Sequence, residues 1–100
     1  IPNNEYINCL PDRIVVEVPA KINNQGIHGI TLENYPKGFG NLLNSQVGVI
    51  QLTTEAILSK SKHFAYLALL ADPVVDNAIA AEKLLDNIIE KQSEFLGYLN

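Results

Sequence analysis

Methionine and tryptophan are absent from the 100 residues, cysteine occurs once, and seven lysines and arginines stand against eleven aspartates and glutamates. A single thiol, Cys9, closes no disulfide within the chain, and His28 and His63 stand at no spacing that would gather a zinc site. Without a disulfide framework, a reducing, cytoplasmic setting is expected. The formal net charge is −4 and the lysines are scattered. With no basic stripe to neutralise phosphates, nucleic acid is not an expected partner. No apolar run approaches the roughly 20 residues of a membrane span, so no membrane partner is expected either. The opening Ile1-Pro2-Asn3-Asn4 lacks the basic and apolar regions of a signal peptide. A chain that has no methionine and begins on a bulky isoleucine is expected to be excised from a longer one.

What is present argues for folding. Hydrophobic residues make up 47% and charged residues 18%, far from the polar, charged composition of disordered chains. At this length the core is expected to be thin. Periodicity changes near Pro36, which divides a head, residues 1–35, from a helical body, residues 36–100. In the head, the β-branched run Ile14-Val15-Val16-Glu17-Val18, closed by Pro19, reads as a buried strand. The turn-prone Asn23-Asn24-Gln25-Gly26 and the loose alternation of residues 27–32 add a hairpin or small sheet.

In the body, Phe39, Leu43, Val47, Ile50, Thr54 and Ile57 recur at steps of three and four, the mark of a long amphipathic helix starting near Pro36. Gly48 marks a weak point in it. Ser61 is placed to cap a second helix that ends before Asp72-Pro73. Asp76-Asn77 opens a third, with Leu84, Leu85, Ile88, Ile89, Phe95 and Leu96 on one face and Glu82, Lys83, Glu90 and Lys91 on the other. The fold class expected is therefore α+β, a short strand or hairpin head followed by about three amphipathic helices.

Few residues invite chemistry. Gly38-Phe39-Gly40 follows no clear strand and lacks a third glycine, so it reads as a helix start and not as a phosphate cradle. Cys9 has no adjacent base and reads as a packed small hydrophobe. Glu17, within an apolar run, is expected in a structural ion pair. No second carboxylate pairs with it as two-carboxylate glycoside hydrolysis requires. His28, between Gly26 and Gly29, is a candidate for a site completed by other residues.

Three ordered segments carry a resemblance. Asn4-Glu5-Tyr6-Ile7-Asn8-Cys9-Leu10-Pro11-Asp12, followed by Ile14-Val15-Val16-Glu17-Val18-Pro19, resembles the N-x-G-Y-I-x-N-L-P-D-x-x-V-V-E-V-P stretch in the C-terminal region of family 4 glycoside hydrolases. The resemblance continues through Gly26-Ile27-His28. It then covers Gln46-Val47-Gly48-Val49-Ile50-Gln51-Leu52-Thr53-Thr54-Glu55-Ala56, similar to the family's Q-I-N-V-Q-E-L-T-V-E-A helix, and reaches Ala68-Leu69-Leu70-Ala71-Asp72-Pro73. Glu5 stands at the family's glycine, and Cys9 and Gly48 at family asparagines. The helix leans towards the branch that acts on unphosphorylated glycosides.

The resemblance implies a fragment of a lactate/malate-dehydrogenase-like C-terminal domain in a carbohydrate-metabolising hydrolase. That enzyme would use NAD and manganese, oxidising the sugar before eliminating the aglycone. It implies no catalytic, cofactor or metal residue in this chain: Cys9 lies outside the family's metal motif, and no base is carried to Tyr6. Asn4, Tyr6, Asn8 and His28 are the residues expected to approach the substrate. The expected partners are carbohydrate in the parent enzyme and the remainder of that chain or further copies, met through the amphipathic helices. The alternative is a free-standing helical interaction and oligomerisation module derived from such an enzyme. Either way the apolar stripes need cover, so the isolated chain is expected to self-associate. Analytical ultracentrifugation tests this, and a strictly monomeric folded species at high concentration would refute it.

Overall fold

A computed structural model describes residues 1–100. It is α+β: an antiparallel hairpin of β1, Ala20–Asn23, and β2, Gly26–Gly29, precedes helices α1, Lys37–Ser59, α2, Lys62–Ala71, α3, Ala78–Lys91, and the short α4, Ser93–Leu96. The chain divides into two compact units, Ile1–Asn44 and Ser45–Asn100, with α1 running through the division.

In the first unit, residues 1–3 run antiparallel to residues 13–16. Asn3 N donates to Ile14 O (2.7 Å), Arg13 N to Asn3 O (2.9 Å) and Val16 N to Ile1 O (2.8 Å). The expected buried strand over residues 14–18 is therefore only an isolated bridge, Val15 with Pro2. Val16 is buried while Val15 and Glu17 face solvent. The alternation is that of a strand with one wet face, and the expected ion pair at Glu17 is not formed. β-branching favoured an extended backbone here, but only residues 1–3 lie alongside to pair with it.

The hairpin lies later than residues 14–18. Its partners are Ala20 with Gly29 through Asn23 with Gly26, leaving Asn24 and Gln25 as a two-residue turn. Gly26 sits at φ +124°, open to glycine alone without strain. Asn23 Oδ1 accepts from Gln25 N (2.8 Å), which tightens the turn.

α1 continues unbroken past Gly48. Its inward residues are Gly40, Leu43, Val47, Leu52 and Ala56, whereas Phe39, Ile50 and Ile57 are exposed. The helix carries apolar residues around most of its circumference, so the periodicity revealed the helix but not its buried face. Gly40 is needed for contact: a β-carbon there would clash with Cys9 Sγ and lie 3.1 Å from Cys9 Cβ. Asn44 Nδ2 also donates to Cys9 O (2.6 Å).

In the second unit the caps stand where the sequence places them. Ser61 Oγ accepts from Phe64 N (3.4 Å) and Asn77 Oδ1 from Ala80 N (2.9 Å), while α2 ends at Asp72 before Pro73. The third helix is split at Gln92, whose backbone is not helical, giving α3 and α4. α2 packs on α3 and α3 on α4. Asn100 bridges the α1–α2 turn, donating through its N–H to Lys60 O (3.0 Å) and accepting from Lys62 N (2.9 Å). The buried residues of this unit are Val47, Ala56, Ala68, Ala81 and Leu85, and no large side chain is fully buried. Lys62 and Asp86 form an exposed ion pair, which contributes little. No helix is long and apolar enough to cross a membrane.

The Cys9 contact yields the first mutational prediction. Gly40→Ala lowers stability by about 1–3 kcal/mol through overpacking. Combining it with Cys9→Ala recovers part of that loss, read as a positive coupling in a thermal-unfolding double-mutant cycle.

Candidate functional site

The loop of residues 4–12 has no regular structure, and its shape comes from one side chain. Asn3 is 3% exposed and is the buried polar side chain of the core. Its Nδ2 lies 3.2 Å from Ile7 O, 3.0 Å from Leu10 O and 3.2 Å from Pro11 O, so two hydrogens are shared among three carbonyls. Its Oδ1 accepts from Ile7 N (3.1 Å). Leu10 N in turn donates to Ile7 O (3.1 Å), closing a turn whose corners are Asn8 and Cys9. Ile7 and Leu10, at the ends of that turn, are buried, while Asn8 is exposed at its corner.

Glu5 has φ +60°, in the left-handed region that costs a side-chain-bearing residue roughly 1–2 kcal/mol. A glycine at this place in the related pattern has a direct physical reason: the loop needs positive φ there. Glu5, Asn8, Leu10 and Asp12 together line an open recess of about 250 Å³. That is small against the roughly 300–1,000 Å³ of complete ligand sites. Two carboxylates and a carboxamide offer acceptors and donors suited to hydroxyl groups. Glu5 and Asp12 were not among the sequence candidates. The departure of Glu5 from a glycine position was the signal available for it, and the match of Asp12 to the aspartate of the related pattern was the signal for Asp12.

The other candidates scatter. Asn4 is exposed. Tyr6 is half-buried, and its ring fills the space that a side chain on Gly29 would need, with Cε1 and Cζ at 2.8 and 2.9 Å from the position of a β-carbon. Tyr6 O also accepts from Leu32 N (2.8 Å), tying the loop to the chain that leaves the hairpin. His28 precedes Gly29 in β2, and successive side chains of a strand point to opposite faces. The Tyr6 ring and the His28 imidazole therefore lie on opposite sides of the hairpin. His28 is exposed, with Nε2–H donating to Asn23 Oδ1 (3.1 Å).

The residues present suit neither metal nor dinucleotide. No three His, Cys, Asp or Glu side chains gather where an ion would be held. At Gly38-Phe39-Gly40, the approach to Gly40 that a pyrophosphate would require is filled by Cys9.

Over residues 1–75 the chain matches the family 4 glycosyl hydrolase C-terminal domain. The chain belongs to that family. It is 42% identical over 99 residues to an alpha-glucosidase of Erwinia rhapontici, covering 99% of this chain and 22% of that protein. It is 32% identical over 95 residues to a maltose-6'-phosphate glucosidase of Bacillus subtilis, 95% of this chain and 21% of that protein. It is 30% identical over 94 residues to the 6-phospho-beta-glucosidase BglT of Thermotoga maritima, 94% of this chain and 23% of that protein. The chain thus spans about a fifth of the length of these curated relatives. No solved structure matches it.

Within this family 4 domain, the strain at Glu5 is open to direct test. Glu5→Gly removes a left-handed side chain at the expense of a more flexible unfolded chain, so a net gain of up to about 1 kcal/mol is expected. Chemical denaturation measures it as a higher midpoint at unchanged slope.

Proposed function

We propose that this family 4 domain forms part of the substrate-binding half of a glycosidase acting on unphosphorylated α-glucosides. In that enzyme the loop of residues 4–12 faces the sugar. The observation that carries the reading is the 42% identity to an alpha-glucosidase across almost the whole chain, above the 30–32% shared with two phosphoglucosidases. The exposed polar recess at Glu5, Asn8 and Asp12 supports it, because carboxylates and carboxamides satisfy sugar hydroxyls in both directions. Asn4 and Asn8 project from the loop, and Tyr6 serves by holding the loop on Gly29.

In this reading the domain supplies binding and orientation, not reacting groups. NAD and manganese, which the family resemblance implies, would be held outside these residues, so the domain alone is inactive. The exposed apolar residues of α1 and α3, Ile50, Ile57, Leu58 and Ile79 among them, would be covered by the remainder of the enzyme or by a second subunit. A cytoplasmic setting belongs to the same proposal.

The test is made in the full-length glycosidase carrying this domain. Asn8→Ala is expected to raise KM for p-nitrophenyl α-D-glucoside about five- to fiftyfold, the loss of one or two hydrogen bonds, with little change in Tm. Wild-type enzyme should prefer that substrate over its 6-phosphorylated counterpart in kcat/KM. An unchanged KM in Asn8→Ala, or a preference for the phosphorylated sugar, would overturn the corresponding part of the proposal.

A further inference from the structure

We infer that Asn3 is a positioning residue for sugar recognition, acting through Asn8. The inference rests on the reading that the loop of residues 4–12 faces the substrate. Asn3 itself meets no ligand, being 3% exposed with all its side-chain polar atoms turned to the backbone of its own loop.

The geometry explains why this residue type stands here. The loop must gather three carbonyls, of Ile7, Leu10 and Pro11, and one N–H, of Ile7, around a single point inside the protein. Like charges of the carbonyl dipoles oppose that arrangement unless a donor sits at its centre. A carboxamide supplies two hydrogens and one acceptor in a plane, on a stem short enough to begin at position 3. Aspartate has the same shape and no hydrogen to donate, so it would set a carboxylate against three carbonyl oxygens. Glutamine would carry the right groups one methylene too far.

The consequence falls on Asn8. The turn that exposes it begins at Ile7, bonded to Asn3 through both its N–H and its carbonyl, and ends at Leu10, whose carbonyl is bonded to the same carboxamide. The remaining corner, Cys9, is fixed by Asn44 Nδ2 at its carbonyl and by contact with Gly40. Asn8 is thus the free corner of a turn held at every other residue. Its direction into the recess with Glu5 and Asp12 is set by a side chain that never reaches that recess. A binding group held in this way loses little freedom on meeting its ligand, and loosening the turn returns that entropy as weaker binding.

The experiment uses the full-length glycosidase, with Asn3→Asp as the isosteric variant and Asn3→Ser as a milder one should Asn3→Asp fail to fold. Kinetics are measured well below each variant's Tm with p-nitrophenyl α-D-glucoside, beside Asn8→Ala. The expected result is a KM raised at least about tenfold with kcat within about threefold, and no further rise when Asn8→Ala is added. A purely structural role would lower the active fraction, and hence apparent kcat, while leaving KM unchanged. That pattern, with Asn8→Ala still raising KM, overturns the inference and leaves the loop's role in binding intact. If Asn8→Ala and the Asn3 variants all leave KM unchanged, the loop does not face the sugar and both fall together.

Discussion

The carboxamide of Asn3 is the interaction on which the first unit depends. A loop without helix or strand has no ladder to satisfy its backbone, and burying it would strand polar groups at about 1–3 kcal/mol each. One asparagine resolves this by bonding four backbone atoms in residues 7–11. Its own backbone meanwhile pairs with Arg13 and Ile14. Ile7 and Leu10 can then be buried beside it, and the loop acquires a core. The left-handed backbone at Glu5 and Arg13 is tolerated because this network holds the residues between them.

The second unit is built on a different economy. Ala68 on α2 and Ala81 and Leu85 on α3 are buried where those two helices pack, whereas Ala56 of α1 shares with Ala68 and Leu85 the lining of an apolar cavity of about 340 Å³. Two helix starts are satisfied by side-chain caps at Ser61 and Asn77. The arrangement leaves large apolar side chains outside: Ile57, Leu58, Val74 and Phe95 are all more than half exposed.

The helices were legible in the sequence because their ends are chemical: a serine and an asparagine that cap, a proline that stops. The buried face of α1 was not, since its apolar residues are spread around most of the helix and periodicity does not tell which of them turn inward. The run at residues 14–18 was read as a buried strand because β-branching reports an extended backbone and says nothing of what lies alongside. At the candidate site, Asn8 is among the residues the resemblance brings towards substrate, at an unspecified position of the pattern, whereas Glu5 and Asp12 are not. Asn3 stands at the leading asparagine of the related pattern once Glu5 is set at its glycine, but the pattern does not tell that its side chain is buried and bonded to its own loop, which the structure shows. Tyr6 and His28 are each expected near substrate by the resemblance, and in this domain they lie on opposite faces of the hairpin.

The most direct test of the account is hydrogen exchange, by mass spectrometry, of the full-length glycosidase with and without saturating α-glucoside. If the loop faces the sugar, peptides covering residues 4–12 gain protection on binding, while those covering the β1–β2 turn at Asn24 and Gln25 are unaffected. Protection elsewhere in the enzyme with none in residues 4–12 would contradict it.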